Sequence, residues 1–290
     1  MIDLNPDRPP VTPREAATVL LARDEEEGFS IFMVRRHAKS GFMAGAYVFP
    51  GGTLDDEDQA PALLDRVEGC SAAGAAAALG EANGQLALGL YVAALRETFE
   101  EAGILLADGV DPGELAAGRT RLHEGAAFLD IVRELDLRLR ADALVPFSRW
   151  VTPVAEKRRY DARFFLARAP RKQRAEHDRI EVTAGEWLTP GAALDACERG
   201  RITLFPPTLR TLEQLVAFDS LDAAIADVRG RVPRPVMPVL RPHGDTIALT
   251  LPGDPEHPES EVILPGPSRF VLADGRFRSS HAPENVSPTR

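Results

Sequence analysis

The sequence has few cysteines, no long apolar run and fewer cationic than anionic residues. Each of these features excludes some classes of protein. Only Cys70 and Cys197 occur among the 290 residues, without a Cys-x-x-Cys pair. No disulfide framework is therefore expected, and reduced thiols in a cytoplasmic protein are the simpler interpretation. No apolar run approaches the roughly 18 residues needed to span a bilayer, and the first residues contain no apolar segment of a secretory leader. The sequence predicts a cytoplasmic protein that does not enter a membrane.

Acidic residues outnumber basic ones. The 34 Lys and Arg residues face 44 Asp and Glu residues, which gives a formal net charge of -10 at pH 7. A protein that binds nucleic acid without sequence preference needs a basic face for the phosphates, so this class is excluded. An anionic small molecule would also be repelled unless metal ions or local arginines intervene. With 44% hydrophobic residues, the chain can still bury a substantial core.

The most informative segment is RETFEEAG at residues 96–103, which reads as the end of a helix. Since an α-helix advances about 100° per residue, Glu97, Glu100 and Glu101 fall on one side and the apolar side chains on the other. Neighbouring like charges repel, and a hard divalent cation with oxygen ligands would relieve that repulsion. A solvated acidic face is the alternative for these three residues taken alone. Gly103 supplies the left-handed residue that ends a helix.

A second unusual segment, YVFPGG, lies upstream at residues 47–52. Its first residues are typical of a β-strand, and Pro-Gly-Gly predicts that the strand enters a tight loop. Gly51 and Gly52 would allow the backbone to approach a bound ion or phosphate with its amides and carbonyls exposed. The two segments together indicate a site for a metal ion or a phosphate group.

These segments resemble the two halves of the Nudix box, whose pattern is G-x5-E-x7-R-E-U-x-E-E-x-G-U with U an apolar residue. The fixed positions of the second half are all present, as Arg96, Glu97, Glu100, Glu101 and Gly103. In the first half, Asp58 stands where the family has Glu, and about 30 residues are inserted before Arg96. This arrangement is similar to the Nudix branch with an interrupted box, which includes peroxisomal coenzyme A diphosphatases and bacterial relatives.

The resemblance implies a catalytic role for each box residue. Glu97, Glu100 and Glu101 would hold Mg2+ or Mn2+ ions, and the carbonyl oxygen of Gly52 would complete the ligand set. Arg96, four residues before Glu100 on the helix, would orient that carboxylate as structural support.

The general base is left open by the resemblance. Family members use either a box glutamate, here Glu97, or a glutamate on a distant loop. The loop candidates are Glu176 and Glu181, which precede the segment EWLTP at residues 186–190. Solvated loop charge is the alternative for both.

The resemblance also suggests groups that bind the substrate, namely Arg35, Arg36, Gly51, Gly52, Arg158 and Arg159. Gly45 keeps the glycine spacing of the coenzyme A signature of the family. Basic residues at the start of a strand are mostly solvent-facing, which is the alternative for Arg158 and Arg159. Three aromatic residues on predicted strands could stack on a base, although such residues more often belong to the core. They are Trp150, Phe164 and Phe165.

The fold expected from the pattern and the resemblance is an α/β/α Nudix sandwich with a mixed β-sheet. Residues 14–228 would form the hydrolase domain, with a helical insertion at about residues 59–89, and residues 229–290 a Pro-rich extension without a core of its own. The insertion either packs over the domain as a flexible excursion or acts as a lid or dimer surface, which leaves a homodimer open. Strands are predicted at 17–23, 29–35, 145–153, 160–167, 247–251, 261–264 and 269–272, and helices at 61–67, 72–79, 190–198, 207–218 and 221–228.

The expected function is metal-dependent hydrolysis of a phosphoanhydride in a nucleoside diphosphate linked to another group. The resemblance favours coenzyme A or an acyl derivative, with 3',5'-ADP and 4'-phosphopantetheine as products. Another substrate with the same bond, such as ADP-ribose, a dinucleotide or a nucleoside triphosphate, is the nearest alternative. A non-catalytic nucleotide sensor is the alternative from a different class, and the complete set of box carboxylates counts against it.

Overall fold

The computed structural model describes residues 9, 11–37, 45–178 and 182–282. The strands in this part of the chain are β1 Arg14–Asp24, β2 Phe29–Arg36, β3 Tyr47–Val48, β4 Gly51–Thr53, β5 Val67–Glu68, β6 Ala107–Asp108, β7 Arg138–Arg140, β8 Val145–Val151, β9 Tyr160–Arg168, β10 Val182–Leu188, β11 Pro235–Val236, β12 Val239–His243, β13 Thr246–Thr250, β14 Arg269–Ala273 and β15 Arg276–Ser280. The helices are α1 Pro61–Leu64, α2 Ala72–Leu79, α3 Gly84–Ala102, α4 Pro112–His123, α5 Phe128–Glu134, α6 Pro190–Glu198, α7 Pro206–Leu215 and α8 Leu221–Val228. Short 3-10 helices lie at Asp56–Gln59 and Ala141–Ala143.

The central sheet is mixed, with the strand order β10-β2-β1-β9-β8-β11. β1 runs parallel to β9 and antiparallel to β2, and β4 pairs antiparallel with β1. Side chains on each strand alternate between two cores, because successive residues point to opposite faces. On β1, Val19 and Leu21 join the core under α3, whereas Leu20 and Ala22 join the core under α7 and α8. Helices on both faces of a mixed sheet confirm the predicted α/β/α class.

Most predicted elements of the central domain are present, but the Gly-Gly segment differs. Gly51 and Gly52 do not form a loop, because they belong to β4 and pair with Thr18 and Ala17 of β1. The prediction of a loop was wrong because it relied on the preference of glycine for turns. Here its lack of a side chain serves close strand pairing instead.

The insertion packs against the domain. α2 forms where predicted and buries Ala75 and Leu79 in the core shared with α3. The predicted helix at 61–67 is shorter, because Val67 joins strand β5. Glu81, which follows α2, forms ion pairs with Arg149 and Arg163 on the central sheet. Helix α3 begins at Gly84, so the last residues assigned to the insertion belong to the helix of the box.

The C-terminal segment forms a four-stranded antiparallel sheet in the order β12-β13-β14-β15. The predicted strands at 247–251 and 269–272 are present as β13 and β14, but the one predicted at 261–264 is wrong. β12 and β15 were missed because Arg, Pro and Ser interrupt their apolar pattern. Leu249, Phe270 and Phe277 of this sheet share the core that contains Leu209 and Leu212 of α7.

A buried ion pair holds the C-terminal sheet together. Both side chains, Asp254 and Arg269, are 1% exposed, and two hydrogen bonds of 2.9 and 2.7 Å join them. Burial opposes ionisation of Asp254, but the bonds from Arg269 and Ser268 outweigh it and keep the pKa of this carboxyl below its ordinary value. The pair therefore stabilises the fold only while Asp254 is ionised.

We expect Asp254→Asn to destabilise the protein by about 1.5–3 kcal/mol at pH 7, because it removes the buried carboxylate that accepts two hydrogen bonds from Arg269 and leaves only the partly exposed Glu256, at 2.7 Å, as its counter-charge. A depressed pKa gives stability that is complete above the unfolded value of 3.8 and is lost as the pH falls through the folded value. The difference in Tm between wild type and variant should therefore shrink below about pH 3.8. The control is Asp274→Asn, an exposed turn position with positive φ that Asn also tolerates. An equal loss of Tm in both variants would contradict this role of Asp254.

Among the described helices, none has both the length and the apolar character that crossing a membrane requires.

Candidate active site

Helix α3 presents the box residues. Asn83 caps its first turn with a side chain that accepts hydrogen bonds from the backbone N–H groups of Gln85 and Leu86, and Gly103, with φ 69°, follows its last residue. This confirms the helix stop expected from the sequence. The apolar stripe through Leu95 and Phe99 is fully buried against the sheet. The three glutamates differ in burial, since Glu101 is 4% exposed whereas the side chains of Glu97 and Glu100 are 12% and 28% exposed.

Arg96 is the charged centre of the cluster. Its guanidinium makes two hydrogen bonds of 2.8 and 2.9 Å to the carboxylate of Asp58, which is 1% exposed. One terminal nitrogen, Nη1, also donates to Glu97 at 2.9 Å and to Glu100 at 3.1 Å. Burial opposes the charge of Arg96, but these carboxylates outweigh it and raise the pKa of the guanidinium further above its usual range. Arg96 thus stays cationic and holds two box carboxylates side by side.

The diglycine strand lies directly against the glutamates. The backbone N–H of Gly51 donates to Oε2 of Glu101 at 3.0 Å. A Cβ atom at Gly52 would lie 2.3 Å from Oε1 of Glu97, so a larger residue there would displace this carboxylate. The tertiary structure therefore brings Gly51 and Gly52 to the catalytic helix across the insertion.

The donor set fits a divalent cation chemically, because carboxylate oxygens beside a backbone strand are the ligands that Mg2+ and Mn2+ prefer. In this conformation the three glutamates bond to Arg96 and to the Gly51 amide. Accordingly, no group of three His, Cys, Asp or Glu side chains among the described residues is arranged to hold a metal ion. Binding would require Glu97 and Glu100 to turn partly from Arg96, and both side chains retain solvent access for that.

A second arginine binds a backbone carbonyl group at the C-terminal end of α3. Arg119 of α4 donates two hydrogen bonds, of 2.9 and 2.7 Å, to the carbonyl oxygen of Glu100. The loop after β9 is held at the same end, since the backbone N–H of Glu176 donates to the carbonyl of Ala102 at 2.9 Å. The Glu176 side chain is exposed. Glu181, the other loop base suggested by the sequence, lies outside the described residues.

A cavity of about 510 Å3 opens over the box. Of the residues suggested by the sequence, it is lined by Arg36, Gly51, Gly52, Arg96, Glu97 and Glu100. Glu101 lies at its edge through the bond to Gly51. Trp150 and Phe164 line the cavity, as the stacking interpretation expected, whereas Phe165 is fully buried and packs on Tyr91 with ring centroids 4.8 Å apart.

Three suggested arginines are not among the described residues that line this cavity. Arg35 and Arg158 are exposed. Arg159 is buried, and its guanidinium donates to the carbonyl oxygens of Thr152 at 3.0 Å and Val11 at 2.6 Å. These bonds hold the chain leading into β1 against the end of β8, which is a structural role and not a substrate contact.

Sequence reasoning gave no role to two residues of the site. Asp58, which stands six positions after Gly52 where the family has Glu, is the main partner of Arg96. Arg14 lines the cavity and donates to the hydroxyl of Thr53 at 3.4 Å, and it lies at the start of β1 in a segment with no recognisable motif. Only the pairing of β1 with β4 brings Arg14 to the site.

Several known proteins are similar to this chain. The family model of the NUDT19 Nudix domain matches residues 80–215, which contain α3 and the central-sheet strands β8, β9 and β10. Acyl-coenzyme A diphosphatase NUDT19 of Xenopus laevis is 28% identical over 288 residues, which cover 84% of this chain and 75% of that protein. The Gallus gallus protein of the same name is 29% identical over 302 residues, covering 85% and 80%.

A solved structure is similar as well. The NUDIX hydrolase from Alicyclobacillus acidocaldarius superimposes with a TM-score of 0.63 at 29% identity, and the match covers 75% of this chain and 97% of that one. The profile match, the relatives and the fold thus agree with the geometry of the box around α3. The chain is thus similar to Nudix hydrolases, most directly through residues 80–215.

Proposed function

We propose that this protein is a Nudix hydrolase that cleaves the phosphoanhydride of coenzyme A or an acyl-coenzyme A, releasing 3',5'-ADP and a 4'-phosphopantetheine product. The names of the Xenopus and Gallus relatives support this substrate class. The interrupted box supports it too, because the insertion separates Asp58 from Arg96 without separating them in space.

One observation carries the proposal in the structure itself. Arg14 and Arg36 line the same cavity as Glu97 and Glu100, although the protein as a whole has a net charge of -10. A diphosphate needs local cationic groups to approach an acidic site, and two guanidinium groups beside metal-binding carboxylates supply them. The arrangement therefore suits an anionic diphosphate.

Different residues would have different roles in hydrolysis. Nudix hydrolases generally use a divalent metal, and we propose Mg2+ or Mn2+ held by Glu97, Glu100, Glu101 and the Gly52 carbonyl. When bound, such a cation offsets the negative charge that develops on the phosphoryl oxygens. Arg96 holds the carboxylates in position, and Arg14 and Arg36 orient the diphosphate. Glu97 or a loop glutamate, Glu176 or Glu181, would accept the proton from the attacking water.

The location, the partners and the domain organisation of the protein belong to the same proposal. We propose a cytoplasmic enzyme that acts on a small nucleotide-type molecule, with no nucleic-acid partner and with a homodimer as the alternative to a monomer. Residues 14–228 would form the hydrolase domain and residues 229–290 an extension of it.

The test is a parallel comparison of kcat/KM for coenzyme A, acetyl-coenzyme A, NADH and ADP-ribose in the presence of Mg2+. We expect the two coenzyme A compounds to exceed the other two by about tenfold or more, since the pantetheine arm adds contacts that the others lack. Product analysis should identify 3',5'-ADP. A preference for NADH or ADP-ribose would reject the coenzyme A assignment, and no turnover of any compound would favour the sensor.

A further inference from the structure

The wall of the active-site cavity is built from two parts of the chain that are far apart in sequence. The box residues and the central sheet line one part of it, as described above. The C-terminal segment contributes Pro238, Leu249 and Phe277. All three are apolar, and Leu249 and Phe277 are only 5% and 4% exposed.

The apolar wall continues from the C-terminal sheet onto the central domain. The ring of Phe277 on β15 packs against that of Phe205, with centroids 6.4 Å apart, and Phe205 and Pro206 also line the cavity. Leu249 on β13 belongs to the same core as Phe164. These apolar side chains line the same cavity as the charged residues Arg36, Glu97 and Glu100.

The C-terminal wall is held firmly against the domain. Arg210 of α7 is 1% exposed, donates to the carbonyl oxygens of Pro265 and Pro267, and lies 5.1 Å from the ring centroid of Phe270. A Cβ atom at Gly266 would lie 2.5 Å from Nη1 of Arg210, so the loop closes tightly over the guanidinium. These contacts fix the segment before β14 against α7. The apolar wall is therefore formed before a ligand binds.

We propose that this wall, formed by Pro238, Leu249 and Phe277 with Phe205, binds the acyl chain of an acyl-coenzyme A while the diphosphate lies at the box. The inference rests on the proposed function and assigns to the C-terminal sheet the selection of acyl chain length. Apolar ligand groups bind where they remove apolar surface from water, so a longer chain gains more from this wall than a short one. Free coenzyme A, which has no acyl chain, does not depend on it.

The test compares hydrolysis of free coenzyme A, hexanoyl-coenzyme A and dodecanoyl-coenzyme A. Leu249→Phe adds side-chain bulk and narrows the cavity, whereas Phe277→Leu removes bulk and widens it. Leu272→Phe adds bulk on β14, where the side chain packs on the core and is not among the described residues that line the cavity. We expect Leu249→Phe to lower kcat/KM for the dodecanoyl compound by about tenfold or more. Free coenzyme A should change less than threefold. Phe277→Leu should alter the ratio of dodecanoyl to hexanoyl turnover, and Leu272→Phe should leave all ratios unchanged.

Binding provides a measurement that does not depend on turnover. Trp150 lines the cavity and Trp187 does not, so the Trp187→Phe protein reports occupancy through Trp150 fluorescence alone. The dodecanoyl compound should bind more tightly than free coenzyme A, and Leu249→Phe should abolish the difference. Length-dependent binding without hydrolysis would reject the proposed function but uphold the wall. Equal chain-length ratios in Leu249→Phe and Leu272→Phe, with turnover and folding intact, would overturn the inference.

Discussion

Glu100→Gln should reduce kcat by about 10²–10⁴-fold, because a metal-binding carboxylate supplies several kcal/mol of transition-state stabilisation and each 1.36 kcal/mol is tenfold in rate. The substitution preserves shape. The amide oxygen can still accept the hydrogen bond that Arg96 Nη1 donates to Glu100 at 3.1 Å. What it removes is the negative charge that a divalent cation requires. Steady-state kinetics with saturating Mg2+ or Mn2+ measure the effect.

The matched control for this variant is Glu27→Gln, which neutralises an exposed glutamate in the turn between β1 and β2. It changes the net charge by the same amount and should leave kcat within about twofold, as expected for an exposed group remote from the reaction. Both variants should keep the wild-type Tm within a few degrees. Unchanged kcat in Glu100→Gln would remove this carboxylate from the catalytic machinery. A large loss of Tm would mean that the residue serves the fold.

Gly52→Ala should lower kcat by about 10²-fold, because a misplacement of about 1 Å in a catalytic group costs that much. The new methyl group would lie 2.3 Å from Oε1 of Glu97, and the flexible carboxylate must move away. The backbone at Gly52 is not in the left-handed region, so alanine is tolerated there. The folded protein should therefore keep its Tm within a few degrees while its activity falls.

The neighbouring glycine offers a control with the opposite expectation. A Cβ atom at Gly51, where φ is +156°, would lie 2.4 Å from the backbone carbonyl oxygen of Ala17, which is part of β1 and cannot move alone. Gly51→Ala should thus destabilise the fold by more than about 1 kcal/mol. Circular dichroism melting and kinetics on both variants separate the effects. If Gly52→Ala lost stability and kept its specific activity, the proposed contact with Glu97 would be wrong.

The sequence indicated the correct class of fold and the helix that carries the three box glutamates. The spacing of Leu95, Phe99 and the three glutamates depends only on helical geometry, so the amphipathic helix and its end at Gly103 could be predicted locally. Strand β1 was equally readable, since the run from Val19 to Ala22 is apolar, as is typical of a strand buried on both faces of its sheet. Local periodicity and propensity were sufficient for these elements.

The arginines predicted to bind the substrate show what local sequence patterns could not predict, namely which of these side chains line the cavity. Arg36 and Arg159 looked alike in the sequence, yet Arg36 lines the cavity and Arg159 binds the carbonyls of Thr152 and Val11. Arg14 lines the cavity without any motif. The direction of a long side chain is decided by the groups packed around it, which come from distant parts of the chain.

By itself, the sequence determined that three carboxylates lie together on one side of a helix, because helical winding sets their directions wherever the helix lies. Only the tertiary structure decided what surrounds them. Pairing of β4 with β1 brings Gly52 to Glu97, the Asp58–Arg96 pair closes the box across the insertion, and the C-terminal sheet supplies an apolar wall. Such contacts join residues separated by tens to hundreds of positions, and their free energy depends on burial and packing that no local pattern contains.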